Sequence, residues 1–332
     1  MKLSGPLLIT GASGFVGAHL CQHFLGKTEV VGVEGSNRGS WRLEYIRSIP
    51  QAKNSFRSIK VDLTSMQEVK KAVEDIRPTA ILNCAAYGAY SSQTNADRIY
   101  QVNLDAARNL IEAARETSGF EAFIQAGSSS EYGLNCTAPS EESPTYPDSH
   151  YAVSKVAATQ LVRFYGIKHG IPAWTFRLYS VYGPLEDASR LISKALLQSL
   201  HGKLPPLVNP KTSRDFIYVE DVSRAFEKAL EHRGQLKKGE IFNIGTGVRT
   251  RLEDLVQTFI HDFGVQESPN WGTMENRPWD HADWYSNPSK AARELGWKAE
   301  TSLSDGLRQT FEWLRSNPEW VKRSLENTVL VR

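Results

Sequence analysis

The chain has 332 residues, 40% of them hydrophobic, enough to bury a large core and to suggest two domains or one enlarged one. Lysine plus arginine (39) nearly balances aspartate plus glutamate (37), and no dense basic run occurs, which argues against nucleic acid as a partner. No apolar run approaches the roughly 20 residues needed to cross a bilayer and no charged-then-apolar leader opens the chain, so the reading is a soluble cytoplasmic protein.

The first predicted strand is Pro6-Leu7-Leu8-Ile9-Thr10, and the turn Gly11-Ala12-Ser13-Gly14-Phe15-Val16-Gly17 follows at once, with a helical pattern from Ala18 to Leu25. Glycines let the backbone turn tightly and approach a pyrophosphate, which the free amides and dipole of the helix N-terminus then stabilise. Gly11, Gly14, Phe15, Val16 and Gly17 are therefore candidate cofactor positions. A second strand, Glu29 to Val33, ends at Glu34, 17 positions after Gly17. An acid at about this distance accepts hydrogen bonds from an adenosine ribose and repels a 2′-phosphate, which favours NAD over NADP. Arg38 and Arg42 in the following loop keep NADP open, because an arginine there can receive that phosphate.

The alternation continues. Ser58 to Val61 reads as a strand ending at Asp62-Leu63, Met66 to Ile76 as an amphipathic helix, and Ala80 to Ala86 as a buried strand that opens into small residues able to carry a flat cofactor. A long helix is expected over Asp97 to Ser118 and a strand over Ala122 to Ala126, which runs into Gly127-Ser128-Ser129-Ser130-Glu131-Tyr132-Gly133. Further strands are expected over Ala173 to Leu178 and within Glu240 to Gly247. Strand and helix in turn imply an α/β doubly wound parallel sheet of the Rossmann type, with ligands at the carboxyl ends of its strands.

Between the serine-rich segment and the strand at Ala173 lies Ser149-His150-Tyr151-Ala152-Val153-Ser154-Lys155. Four residues along a helix bring Tyr151 and Lys155 onto one face. A lysine close to a phenol favours the phenolate, and hydride transfer at a secondary alcohol needs such a group to exchange the hydroxyl proton. The three cysteines, Cys21, Cys84 and Cys136, are odd in number and widely spaced, against both a disulfide framework and zinc, and no metal is expected.

Gly11, Gly14 and Gly17, Asp62-Leu63, Cys84-Ala85-Ala86, a serine after a later strand and the Tyr151/Lys155 pair together resemble the extended branch of the short-chain dehydrogenase/reductase family, over about Leu7 to Leu314. Within it they resemble the nucleotide-sugar epimerases, dehydratases and ketoreductases. The resemblance implies that Ser128, Tyr151 and Lys155 are catalytic, and that Asp62, Leu63, Ala85 and Ala86 line the cofactor. It implies a substrate site at Tyr87, Ser129, Ser130, Ser180, Arg190, Leu191, Arg214, Arg277 and Asp280, with the two late arginines clamping a diphosphate by their planar forks. Ser180 stands where the family usually has asparagine.

The family's 4,6-dehydratases carry an acid two places after the catalytic Ser/Thr and often one directly after it. Here those places hold Ser130 and Ser129, while Glu131 is one position late and reaches the site only if the backbone turns. The expected activity is therefore NAD(P)-dependent oxidoreduction at C4 of a nucleotide-linked hexose, as a 4-epimerase with a transient 4-keto intermediate. A one-way reductase of GDP- or CDP-linked 4-keto-6-deoxyhexoses is the alternative, a 4,6-dehydratase is disfavoured, and a non-catalytic NAD(P)-sensing regulator is the rival of another class. The lobes are expected at residues 1–179 for the dinucleotide, with 214–247 partly returning to it, and 180–332 for the nucleotide sugar. The resemblance also implies a homodimer formed through the Asp97–Ser118 helix and the helix bearing Tyr151.

Overall fold

The structure is a computed structural model that describes residues 3–35, 40–90, 92–273 and 282–330. Seven strands form one parallel sheet: β1 (Leu7–Thr10), β2 (Val30–Glu34), β3 (Phe56–Lys60), β4 (Ala80–Asn83), β5 (Ala122–Ser128), β6 (Ala173–Leu178) and, far later in the chain, Ile241–Ile244. Three short strands intervene, β7 (Ser180–Tyr182), β8 (Ser213–Arg214) and β9 (Phe216–Tyr218), which makes Ile241–Ile244 β10; β11 (Thr250–Arg251) follows it. The sheet order is β10-β6-β5-β4-β1-β2-β3. β1, β2 and β4 are buried along their whole length, as strands covered on both faces must be, whereas the edge strand β3 is only partly covered.

The helices in chain order are α1 (Phe15–Phe24), α2 (Trp41–Ser48), α3 (Ala52–Ser55), α4 (Met66–Ile76), α5 (Ala96–Tyr100), α6 (Ala106–Arg115), α7 (His150–His169), α8 (Leu191–Ser199), α9 (Val219–His232), α10 (Leu252–Phe263), α11 (Leu303–Ser316) and α12 (Pro318–Leu330). Leu20, Cys21 and Phe24 of α1 and Val222, Phe226 and Leu230 of α9 join Leu7, Ile9, Leu82 and Ile124 in the core on one face of the sheet. Val69 and Val73 of α4, Leu110 and Ile111 of α6 and Val162 of α7 cover Leu8, Val31, Ile81 and Phe123 on the other. A third core, around Tyr182, Leu196, Phe216, Leu255, Phe259 and Leu307, belongs to the elements that leave the sheet after β6.

Two expected elements differ. The strand expected over Ala80 to Ala86 stops at Asn83, because the chain must rise off the sheet where Gly11 crowds Cys84. The single helix expected over Asp97 to Ser118 is α5 and α6 joined by one wide π-turn, Gln101–Asp105. Such widened turns often mark functional sites, and this one turns the buried Asn103 toward the loop after β4. Its side-chain amide grips both main-chain groups of Tyr87, accepting from the N–H at 2.8 Å and donating to the carbonyl at 2.8 Å. Three late tryptophans serve packing: Trp297 is buried and donates to the Asp221 carbonyl at 2.9 Å, and Trp313 and Trp320 pack edge-on against Tyr45. All three cysteines are free thiols. Among the described residues no helix is long and apolar enough to cross a membrane, and no cluster of His, Cys, Asp and Glu is placed to hold a metal ion.

Candidate active site

The crevice opens where the strand order reverses, between the carboxyl ends of β1 and β4. Gly11 turns there with φ +64°, and a Cβ on it would lie 2.6 Å from the Cys84 carbonyl oxygen. A Cβ on Gly17 would lie 2.2 Å from the Gly11 carbonyl oxygen, so α1 approaches its own entry turn as only glycine allows. The residue before α1 is Gly14, which has no side chain to cap the helix, and no acid stands in the first turn. The first-turn amides are thus left for an anion, and the turn fits a dinucleotide pyrophosphate.

β5 delivers Ser128 to the same edge. The chain then coils into one 3₁₀ turn, Ser129–Tyr132, closed by a capping box: Ser128 Oγ accepts from the Ser130 N–H at 3.2 Å and Glu131 Oε1 from the Ser128 N–H at 2.9 Å. The backbone does turn, yet it carries Glu131 away from the crevice. The Glu131 carboxylate is fully buried, with Oε2 2.9 Å from Arg177 Nε, and the Arg177 guanidinium lies 4.4 Å from the Tyr132 ring centre. Ser128 Oγ stands 2.8 Å from Ser130 Oγ, so two hydroxyls share the catalytic edge.

Helix α7 supplies the tyrosine and lysine. Ser149 caps it by accepting from the Ala152 N–H at 3.2 Å, which places His150 first and Tyr151 one residue in. Lys155 is buried, donates to the Ala126 carbonyl at 2.7 Å and keeps its ammonium 5.9 Å from the Tyr151 ring centre. Ser154 ties this turn to the π-turn: it accepts from Asn103 at 2.8 Å and donates to the Tyr151 carbonyl at 2.7 Å.

These elements enclose a cleft of about 560 Å³ lined by Phe15, Val16, Ala86, Ser128, Ser129, Ser130, Tyr151, Lys155, Ser180, Arg190 and Arg214 among others. It adjoins a second cavity of about 230 Å³ walled by Leu191, Pro205, Pro206, Leu207, Val208 and Phe216. Ser180, Val181, Glu186, Arg190 and Arg214 belong to both. The Arg214 guanidinium lies 5.2 Å from the ring centre of Trp284, which also lines the cleft. Glu186 is held by a hydrogen bond from Ser193 Oγ at 3.1 Å and lies 3.7 Å from Arg190 Nε. Burial pushes its carboxyl up to about 7, with Arg190 and the Ser193 bond opposing.

The segment just before Glu186 is strapped to the glycine turn. His19 Nε2 donates to the Pro184 carbonyl at 2.6 Å, and burial lowers the imidazole to about 4, so the ring stays neutral. Arg42 Nε donates to the Leu185 carbonyl at 2.7 Å and Nη1 to the Ser13 carbonyl at 3.4 Å. This corrects the expectation for Arg42, which lies buried at the start of α2 rather than in a loop, with its donors directed at main-chain carbonyls rather than at a cofactor phosphate.

Other expected site residues fall as follows. Gly11 follows β1, Gly14 immediately precedes α1 and Gly17 lies in its first turn, Ala85 follows β4, Glu34 ends β2, and Asp62 and Leu63 lie just beyond β3. Glu34 is buried and accepts from Ser58 Oγ at 3.1 Å; Asp62 accepts from the Thr64 hydroxyl at 2.7 Å and N–H at 2.9 Å, bonds that lower its carboxyl. Tyr87 lies between Ala86 and Gly88, which line the cleft, and its main chain is held by Asn103; Ala89 and Tyr90 line the cleft beyond it. Arg38, Arg277 and Asp280 lie outside the described residues. Trp284, Asp148, Tyr90 and Glu186 line the cleft although the sequence reading missed them. They come from loops whose meeting no local pattern announces.

Comparison with known proteins bears on the family and the fold. The sequence matches the NAD dependent epimerase/dehydratase family over residues 7–245. The chain belongs to that family. It is of the extended short-chain dehydrogenase type, and the relatives it matches are named as enzymes. It is 28% identical to a trifunctional UDP-glucose 4,6-dehydratase/UDP-4-keto-6-deoxy-D-glucose 3,5-epimerase/UDP-4-keto-L-rhamnose-reductase of Arabidopsis thaliana, over 95% of this chain and 47% of that one. The chain thus spans about half the length of such plant relatives. It is 30% identical to an uncharacterized UDP-glucose epimerase of Bacillus subtilis, over 93% of this chain and 98% of that one. Among solved structures, UDP-glucuronic acid 4-epimerase of Bacillus cereus in complex with UDP-glucuronic acid and NAD is 26% identical with a TM-score of 0.81, covering 94% of this chain and 99% of that one.

Proposed function

We propose that this chain inverts C4 of a nucleotide-linked hexose, with NAD over the carboxyl edge of the sheet, and that the smaller cavity takes the nucleotide. The observation that carries the reading is the cleft edge itself: Ser128, Tyr151 and Lys155 converge there, the flanking Ser129 and Ser130 carry no carboxyl, and Glu131 is locked against Arg177. Elimination of water needs an acid and base beside the sugar; the Ser128–Ser130 turn supplies hydroxyls in those places, and the carboxyls that line the cleft, Asp148 and Glu186, come from other loops.

NAD, when bound, supplies the hydride acceptor and donor at C4. Gly11, Gly14, Phe15, Val16 and Gly17 would hold its pyrophosphate, with Glu34, Asp62, Leu63, Ala85 and Ala86 along its adenosine and nicotinamide halves. Tyr151 takes the proton of the C4 hydroxyl in one direction and returns it in the other, while Ser128 hydrogen-bonds the same oxygen. Lys155, anchored on Ala126, has two donors left for the nicotinamide ribose and favours the phenolate by its charge. Arg190 and Arg214 at the junction of the cavities hold the diphosphate, and Arg277 and Asp280 are taken to complete that clamp. Removal of the C4 hydride and its return to the other face of the keto sugar leave NAD unconsumed.

The test begins with protein purified without added cofactor, denatured, and its released nucleotide identified by mass spectrometry. Retained NAD, followed by C4 epimers of UDP-glucose or UDP-glucuronic acid in NMR spectra, is the expected result. Formation of a 4-keto-6-deoxy sugar would overturn it in favour of dehydration. An empty protein that oxidises NADH or NADPH only with 4-keto sugars would make it the one-way reductase. We also infer a homodimer, because α7 leaves Val153, Phe164 and Ile167 exposed along its length; light scattering at the mass of a monomer would exclude it.

A further inference from the structure

One row of side chains crosses the sheet just below the cleft floor. Thr10 on β1 stands opposite Asn83 on β4, Asn83 opposite Gln125 on β5, and Gln125 opposite Thr175 on β6. All four are at most 1% exposed, in a sheet whose central strands are otherwise filled mainly with aliphatic and aromatic residues. Polar side chains cost free energy in such a place unless their bonds are made, so a row of them needs a reason.

The bonds run one way. The Thr10 hydroxyl donates to Asn83 Oδ1, the Asn83 amide donates to Gln125 Oε1 at 2.7 Å, and the Gln125 amide donates to the Ala126 carbonyl at 3.2 Å. That carbonyl is the acceptor of Lys155 Nζ at 2.7 Å. The shortness of β4 makes this possible. Pairing with β5 ends at Asn83 opposite Gln125, so Ala126 is the first residue of β5 with no β4 residue facing it. Its carbonyl takes the end of the side-chain chain and the lysine together.

We propose that Thr10, Asn83 and Gln125 are positioning residues for Lys155, holding through the Ala126 carbonyl the ammonium that serves Tyr151 and the cofactor ribose. The proposal rests on the role given to Lys155 above. Each donor in the series points toward Ala126, so the row also presents its positive ends to the catalytic corner, where an anionic phenolate is favoured. A shift of about 1 Å in such a group costs up to a hundredfold in rate, which sets the scale of the effect.

The test compares NAD affinity by calorimetry with turnover of UDP-glucose. Gln125→Met keeps the shape and removes the bonds; its Kd for NAD should rise several-fold and kcat fall at least tenfold, with KM for UDP-glucose unchanged. Thr10→Val should move both in the same direction by less, and Thr10→Ser, which keeps the donor, should restore the parent values. If Gln125→Met does not fold, the Thr10 pair decides the matter alone. A lowered Tm with unchanged NAD affinity and kcat, or Thr10→Ser as impaired as Thr10→Val, would reduce the row to packing. Lys155→Met separates the two failures. If it binds NAD like the parent, the role of Lys155 itself falls; if it weakens binding while the row variants do not, only the row falls.

Discussion

At one end the cleft takes Ser128 from the end of a seven-strand sheet and Tyr151 and Lys155 from a 20-residue helix; at the other, Arg190 comes from the residue before α8 and Arg214 from a two-residue strand. The first end is tied down by buried bonds, through Glu131 to Arg177, Asn103 to Ser154 and Lys155 to Ala126. The second is held by contacts at its surface: the Arg190 side chain is 45% exposed and Arg214 rests on a partly buried tryptophan. Proton exchange tolerates little error in distance, whereas recognition of a flexible diphosphate tolerates more, and the difference between the two ends is the one that the proposed roles require.

The largest expected effect breaks the catalytic end alone. Tyr151→Phe should lower kcat about a thousandfold or more while calorimetry finds NAD affinity within a few-fold of the parent. Near-normal turnover would remove Tyr151 from the mechanism. Next in size is the support beneath that end. Glu131→Ala leaves the Arg177 guanidinium buried without its partner and should cost about 3–5 kcal/mol of stability, read by urea titration. A loss below about 1 kcal/mol would mean that the pair is not what holds the turn.

The nucleotide end should respond differently. Arg214→Ala is expected to raise KM for UDP-glucose roughly 10- to 100-fold with kcat little changed, since one charged bond is worth about 1.5–3 kcal/mol. An equal fall in kcat at unchanged KM would place Arg214 with the chemistry and blur the contrast. The smallest effect is a pH dependence of the junction. Glu186 binds its proton more tightly folded than unfolded, so the stability due to its neutral form is complete below about 4.5 and lost as pH rises through about 7. Glu186→Gln should therefore be relatively more stable at pH 8 than at pH 5, by about 1–2 kcal/mol. His19 acts with the opposite sign: the folded protein holds it neutral, and stability falls as pH drops from about 6.5 through about 4. A Glu186→Gln difference that does not vary with pH would mean that the carboxyl stays charged at the junction.

What was legible in the sequence was what is local. The glycine turn, the strand-helix alternation and the Tyr151/Lys155 spacing each lie within a few residues, and each folds as its pattern requires. The fate of Glu131 was also written locally: Ser128-Ser129-Ser130-Glu131 carries the spacing of a capping box, which predicts a carboxylate folded back onto its own backbone. What could not be read locally was the hold on the Tyr87 main chain, which comes from Asn103, 16 residues away on a π-turn that no periodicity announces. Glu186 and Trp284 went unseen because their neighbours in the cleft come from β5 and α7, far off in sequence.

The strap of His19 and Arg42 bears on time rather than affinity. Pro184 is bonded to α1 through His19 and Leu185 to α2 through Arg42, and Arg42 also reaches the Ser13 carbonyl in the turn that is proposed to cradle the pyrophosphate; both side chains are buried. If the dinucleotide sits at that turn as proposed, loosening the turn to release it would disturb those bonds as well, so the strap would slow its departure without requiring a tight Kd. An enzyme that returns its hydride every cycle would gain from so slow a release.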